Sequence, residues 1–243
     1  MVGINTAIVG QGIGFAVPID LVSGMLDDLR DDGRVARGWV GVGLRDLEPG
    51  LAAQLAYDGT DGVVLSQVWP GTPAAEAGLR AGDVLTSLDG EGVDDSAAVV
   101  RQIGQRRPGE TIQVDVVRDG RQKRFKVKLG QRPGEDDLAR GSWGAPESAQ
   151  DPQGDDALDA LGLTVRDAAK VGMAAGSGAV ITAIDSESPA AGRLRAGDRI
   201  IEANRARVRD AGDLQSVLAH ATDRLLLVVE RRGSQLLVDL PLR

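Results

Sequence analysis

At 243 residues, with 42% hydrophobic but only 2% aromatic side chains, the chain suits one large domain or two ordinary ones, with cores of Val, Leu, Ile and Ala. A formal charge of −8 excludes a nucleic-acid surface, which needs a basic face. The absence of Cys and a single histidine, His220, exclude disulfides, thiol nucleophiles and Cys- or His-cluster metal sites, and no cofactor is implied.

The stretch from Met1 to Val17 is apolar but has no basic start; the first basic residue is Arg30, and Gly3, Gly10, Gly12 and Gly14 break any helix. It is therefore expected to be neither a secretory signal nor a membrane span. Val2, Ile4, Thr6 and Ile8 alternate, predicting a strand over 2–9, and a second strand follows from Ile13 to Val17. Between them Gly10-Gln11-Gly12-Ile13-Gly14 lacks the third glycine and the later acidic residue of a dinucleotide fingerprint. Asp20 is a good N-cap for a helix over 21–31, whose stripe of Leu21, Val22, Met25, Leu26 and Leu29 needs a covering partner. Its Asp27, Asp28, Asp31 and Asp32 read as a solvated face.

From Trp39 the pattern changes. Val40, Val42 and Leu44 alternate as a strand, a short helical segment covers 51–57, and Val63 to Val68 reads as a buried strand. Thr72-Pro73 opens a short helix closed by Gly78; a strand over 84–88 follows, then a helix capped by Asp94 or Asp95 and running to Gly104. Strands over 112–117 and 125–129 flank a hairpin turn at Asp119-Gly120. Residues 131–156, rich in Gly, Pro, Asp and Glu, read as a flexible linker carrying the lone Trp143.

After the linker the chain repeats itself. Val40-Gly41-Val42 returns as Leu161-Gly162-Leu163, and the strand from Gly62 returns from Gly178. Thr72-Pro73-Ala74-Ala75 returns as Ser188-Pro189-Ala190-Ala191, and Leu79-Arg80-Ala81-Gly82-Asp83 as Leu194-Arg195-Ala196-Gly197-Asp198. Val99 and Ile103 correspond to Leu214 and Leu218, and Arg118-Asp119-Gly120 to Arg231-Arg232-Gly233. The chain thus carries two copies of one small β-rich domain.

The order hydrophobic-Gly-hydrophobic, [Ser/Thr]-Pro-Ala-Ala, Leu-Arg-Ala-Gly-Asp, late helix and terminal hairpin resembles a bacterial-type PDZ domain, twice. Gly3-Ile4-Asn5-Thr6-Ala7-Ile8, then Gly12-Ile13-Gly14-Phe15-Ala16-Val17-Pro18 and Arg37-Gly38, resembles the exit from a trypsin-like protease domain into the first PDZ domain of the HtrA/Deg (high-temperature-requirement) serine proteases. The resemblance implies a mainly β fold with short helices. A strand–strand–helix remnant of a trypsin-like barrel (1–36) precedes two partly open β-barrel or sandwich PDZ domains (37–130 and 157–243), joined by the linker.

It further implies a binding function. In the first copy, N–H groups around Trp39, Val40, Gly41 and Val42 would hold a C-terminal carboxylate in a backbone nest. The peptide would lie between the strand bearing Leu44 and the helix bearing Val99, Val100 and Ile103, and sequence leaves open which of Val99 and Val100 faces the groove. Gly41 is expected to be glycine because a side chain there would crowd the anion and restrict the backbone. In the second copy the matching set is Leu161, Gly162, Leu163, Leu214 and Leu218, expected to bind more weakly. The implied partners are C-terminal or extended segments of unfolded proteins, with its own protease domain or other subunits besides; neither nucleic acid nor a membrane span is expected. The family places the chain in the periplasm or cell envelope.

The family's Ser-His-Asp triad is not matched: its Gly-Asn-Ser-Gly-Gly motif lies upstream of the matched segment, and His220 sits at the end of the second copy's helix. The chain is therefore read as the substrate-recruiting, regulatory portion of an endopeptidase in protein quality control, not itself an enzyme. The alternatives are a structural or oligomerisation tether without peptide binding, and an active serine protease once an upstream region is supplied.

Overall fold

A computed structural model describes residues 3–9, 13–18, 37–133, 156–158, 161–174 and 176–242. The helix expected over 21–31, and Trp143 with most of the linker, lie outside the described residues. Strands β1 (Gly3–Val9) and β2 (Ile13–Pro18) pair antiparallel as a two-stranded ladder.

The first repeat is built from β3 (Gly38–Trp39), β4 (Val42–Asp46), α1 (Pro49–Gln54), β5 (Val63–Val68), α2 (Pro73–Glu76), β6 (Val84–Leu88), β7 (Glu91–Gly92), α3 (Ser96–Gly104), β8 (Thr111–Arg118), β9 (Arg121–Lys128) and β10 (Gly130–Gln131). The second comprises β11 (Asp156–Leu158), β12 (Leu163–Asp167), a 3-10 turn (Ala168–Val171), β13 (Ala179–Ile184), β14 (Arg199–Ala203), β15 (Ala206–Arg207), α4 (Ala211–Leu218), β16 (Arg224–Arg231) and β17 (Ser234–Pro241). The fold is mainly β with short helices, its sheets not closed, as expected.

The duplication reaches the details of register. β4 pairs antiparallel with β5 and β12 with β13, and each ladder slips at the same place, between Gly43 and Leu44 in one and Thr164 and Val165 in the other. Both closing hairpins turn on residues with positive φ, Asp119 and Gly120 (+54° and +72°), Arg232 and Gly233 (+50° and +79°). That is the twist a two-residue hairpin needs. Each repeat has its own aliphatic core. Val63, Leu65, Val99, Val116 and Val127 lie in one, and Leu163, Ile181, Leu214, Leu225 and Leu227 in the other.

One sequence expectation is corrected, and one element differs between the copies. The strand expected over Val40, Val42 and Leu44 begins only at Val42, because Gly41 has φ +77°, a left-handed turn that no strand contains. Ser188-Pro189-Ala190-Ala191 forms a turn, not a helix, although its counterpart is α2. The second copy is shorter between Pro189 and Gly197 than the first between Pro73 and Gly82, and Gly192, at φ +80°, ends the turn before a helix can propagate.

The repeats are also joined. Gln235 and Leu236 of β17 pair with Val68 and Gln67 of β5, so one sheet runs through both. A third apolar cluster sits across the join, with Leu51, Leu55, Val64, Val84 and Val117 from the first repeat and Leu226 from the second. Beside it lie Arg80, Arg118 and Asp119, facing Glu202 and Arg205. Burial, and then the nearby charge of Asp119, push the Glu202 carboxyl above its ordinary range.

Candidate functional site

The loop between β3 and β4 is aimed by its carbonyls. Val40 C=O accepts from Ala74 N–H of α2 at 2.9 Å, and Gly41 C=O accepts from Trp69 N–H at 3.3 Å, just past β5. The Thr72 hydroxyl stands 3.3 Å from the same Gly41 oxygen. Every described peptide is trans, so each following N–H points opposite its carbonyl. The N–H groups of Gly41 and Val42 are therefore turned away from β5 and α2. They open toward the edge of β4 that, among the described residues, pairs with no other strand.

Gly41 is glycine for the backbone reason expected, its positive φ, and for one more. Besides its positive φ, a Cβ there would lie 2.4 Å from the Thr72 Cβ. The crowding is on the inner side, against the residue that caps α2, and not on the side where the N–H groups open. The second copy repeats the arrangement. Leu161 C=O accepts from the Ser188 hydroxyl, Gly162 C=O from Asp185 N–H at 2.8 Å, and Gly162 has φ +56°.

Trp39, Val40, Gly41 and Val42 are thus brought together at one turn, with Leu44 following along β4. Val42 and Leu44 are half-buried against the first core. Burial separates the two valines that sequence left open: Val99 is 0% exposed in the core, whereas Val100 is 60% exposed on the outer face of α3. Ile103 is also in the core. In the second copy Leu161, Leu163 and Leu214 are buried and Leu218 is partly so. His220 is exposed beyond α4, its Nδ1 at 2.8 Å from the Ser216 carbonyl, as expected for an imidazole at a helix end.

Sequence reasoning missed two aspartates that tie β4 to α3 and β12 to α4. The Asp46 carboxylate, at the end of β4, accepts the Ser96 N–H at 2.7 Å at the first turn of α3. Asp167, at the end of β12, accepts the Ala211 N–H at 2.9 Å at the first turn of α4. The signal was available: each aspartate stands at the same offset from its loop glycine. These backbone N–H donors hold both carboxyls below the ordinary carboxylate range, with the Ser96 hydroxyl helping at Asp46 and Lys170 at Asp167.

A folded pKa below the unfolded one gives a contribution present above the unfolded value, about 3.9, and lost as pH falls through the folded value. Both tethers are therefore expected to stay intact from pH 7 to about 5 and to release below about 4. Amide exchange at Ser96 and Ala211 reads this directly, and a flat exchange profile through that range counts against it.

The Leu-Arg-Ala-Gly-Asp motifs hold the scaffold. Asp83, 1% exposed, takes Arg118 Nε at 2.5 Å and Nη2 at 2.7 Å, and the Arg80 N–H at 2.8 Å. Asp198, likewise 1% exposed, takes Arg231 Nε and Nη2, each at 2.7 Å, and the Arg195 N–H at 2.8 Å. Hydrogen bonding to Asp83 and Asp198 raises the pKa of each guanidinium.

Residues 38–129 and 180–231 each match a model described as PDZ domain; the second match begins beyond the Leu161–Leu163 loop. The chain is 31% identical over 252 aligned positions to a probable periplasmic serine endoprotease, DegP-like, of Rhizobium meliloti (strain 1021), covering 100% of this chain and 49% of the relative. A protein of the same description from Brucella suis biovar 1 is 33% identical over 227 positions, covering 91% of this chain and 42% of the relative. The chain therefore spans about half the length of the curated relatives it matches. Among solved structures, the HtrA-type protease AlgW with decapeptide is 37% identical, with a TM-score of 0.50, covering 55% of this chain and 43% of that one.

Proposed function

We propose, from the premise that this chain carries two PDZ domains and is homologous along its whole length to DegP-like, HtrA-type serine endoproteases, that it recruits protein tails for such a protease. The observation that carries the reading is the turned-out pair of N–H groups at Gly41 and Val42, set at the open edge of β4. A C-terminal carboxylate fits those donors, and the tail behind it adds to β4 as an antiparallel strand. Val42 and Leu44, half-buried along β4, offer a shallow apolar wall to the last side chains. The decapeptide in the AlgW structure supports a peptide as ligand. Peptide cleavage is assigned to the part of the relatives that the match leaves out, and the periplasm, named in the relatives, is the compartment that fits.

A single tail gripped by a short edge and one anion site is expected to bind with a Kd on the order of 1 μM, about −8 kcal/mol. The test is a titration of one peptide with a free and with an amidated C-terminus. A loss of about tenfold or more on amidation is expected; equal affinities would remove the carboxylate mechanism and leave the tether reading. In parallel, Gly41→Ala is expected to weaken binding and to cost the first domain more than the about 1–2 kcal/mol of the left-handed turn alone, because the new Cβ also meets Thr72. Unchanged affinity in a folded Gly41→Ala protein places the site elsewhere.

A further inference from the structure

The two copies differ at one edge. In the first, the segment before the loop leaves β4: Gly38 and Trp39 pair with Gln131 and Gly130 of β10, and Gly38 N–H donates to Arg106 C=O at 2.9 Å. That route needs glycine, since a Cβ on Gly38 would lie 2.7 Å from the Ile103 carbonyl oxygen. In the second copy the corresponding residue is Asp159. There the segment before the loop stays on the groove strand instead. β11 pairs antiparallel with β12, Asp156 opposite Val165, Ala157 opposite Thr164 and Leu158 opposite Leu163. Because β13 occupies the other side of β12, β11 holds the one edge left for a strand to add to.

Direction and register both imitate a ligand. A tail captured at Gly162 and Leu163 would run antiparallel to β12 with its last residue beside the loop. β11 runs that way, and Leu158 stands at the register position of the terminal residue. Burial agrees: Leu163 and Val165 are 2% and 0% exposed, whereas their counterparts Val42 and Leu44 remain half-buried.

We propose that residues 156–158 serve the second PDZ domain as a built-in tail, which closes its groove edge and must be displaced before an outside protein tail can bind. The inference rests on the tail-capture reading above. It turns the weaker binding expected of this domain into a masked site, whose apparent affinity is reduced by the fraction of time the edge is open.

The test uses the full chain and one fluorescent peptide with a free C-terminus. Wild type is expected to bind one equivalent, at the first domain. Leu158→Pro, which removes the N–H at the residue opposite Leu163 and so weakens the strand pairing, is expected to bind two, with the second site tightened about tenfold or more. Should that proline perturb folding, a triple change of Asp156, Ala157 and Leu158 to Gly weakens the pairing without it. Amide exchange over 163–165 reports release independently of binding. With the first site disabled by Gly41→Glu, the released protein should keep one equivalent. Binding at the first site alone, with exchange at 163–165 accelerated, overturns the masked-site proposal while leaving tail capture standing. Two equivalents in wild type overturn it as well, and no binding to any variant overturns tail capture itself.

Discussion

Asp83→Ala is expected to lower the stability of the first PDZ domain by about 3 kcal/mol. Two guanidinium nitrogens and the Arg80 N–H converge on a carboxylate that is 1% exposed. Removing it strands three donors at once. The figure sits at the low end of the range for breaking a buried pair because Arg118 keeps the Gly78 carbonyl at 2.9 Å and lies over the Phe125 ring. For a domain of this size the melting temperature should fall by roughly 10–20 °C, read by calorimetry. Arg118→Lys should reproduce much of the loss, since an ammonium cannot supply the paired donors. A shift under about 2 °C for Asp83→Ala would show that the pair contributes no net stability.

Leu226→Asp is expected to separate the two PDZ domains. β16 buries both faces: Leu225, Leu227 and Val229 point into the second core, whereas Leu226 joins the cluster shared with Leu51, Val64 and Val117. Even Leu226→Ala should cost about 2–3 kcal/mol there, and an unpaired carboxylate more. The remaining tie, two residue pairs between β17 and β5, is too short to hold alone. Small-angle scattering should report a larger radius of gyration and calorimetry two transitions, with each domain still folded because neither core is touched. A scattering profile identical to wild type would mean that the charged groups around Glu202 carry the junction. Glu202 offers a check of sign: its carboxyl is raised by burial, so the docked form should be favoured as pH falls toward the Glu range.

The elements that depend only on local pattern were legible. Val63–Val68 and Val84–Leu88 are where apolar-rich segments bounded by glycine turns put them, and Asp95 caps α3. The repeat was legible for the same reason, as was the loop glycine with its backbone restriction, but not its second reason: Thr72, far along the chain, fills the space where a Cβ would go. What escaped was long-range. Asp46 reaching Ser96 and Asp83 reaching Arg118 span sequence distances over which no period speaks. The docking of the domains did leave a trace in the unbroken run Leu225–Val229, against the alternation of Ile112, Val114 and Val116 in its counterpart β8. An apolar residue on both faces of a strand announces a second neighbour.

The pairing of β17 with β5 also sets an order of assembly. On the ribosome the first PDZ domain is complete once Gln131 has emerged, yet the exposed end of β5 at Gln67 and Val68, and the patch around Leu51 and Val64, must wait for residues 226–236. Throughout that interval the nascent chain carries a bare strand edge beside an apolar patch, the combination most prone to pair with a stranger. The late strand thus acts within its own molecule as a chaperone does, and a chain halted before it is the form in which aggregation should begin.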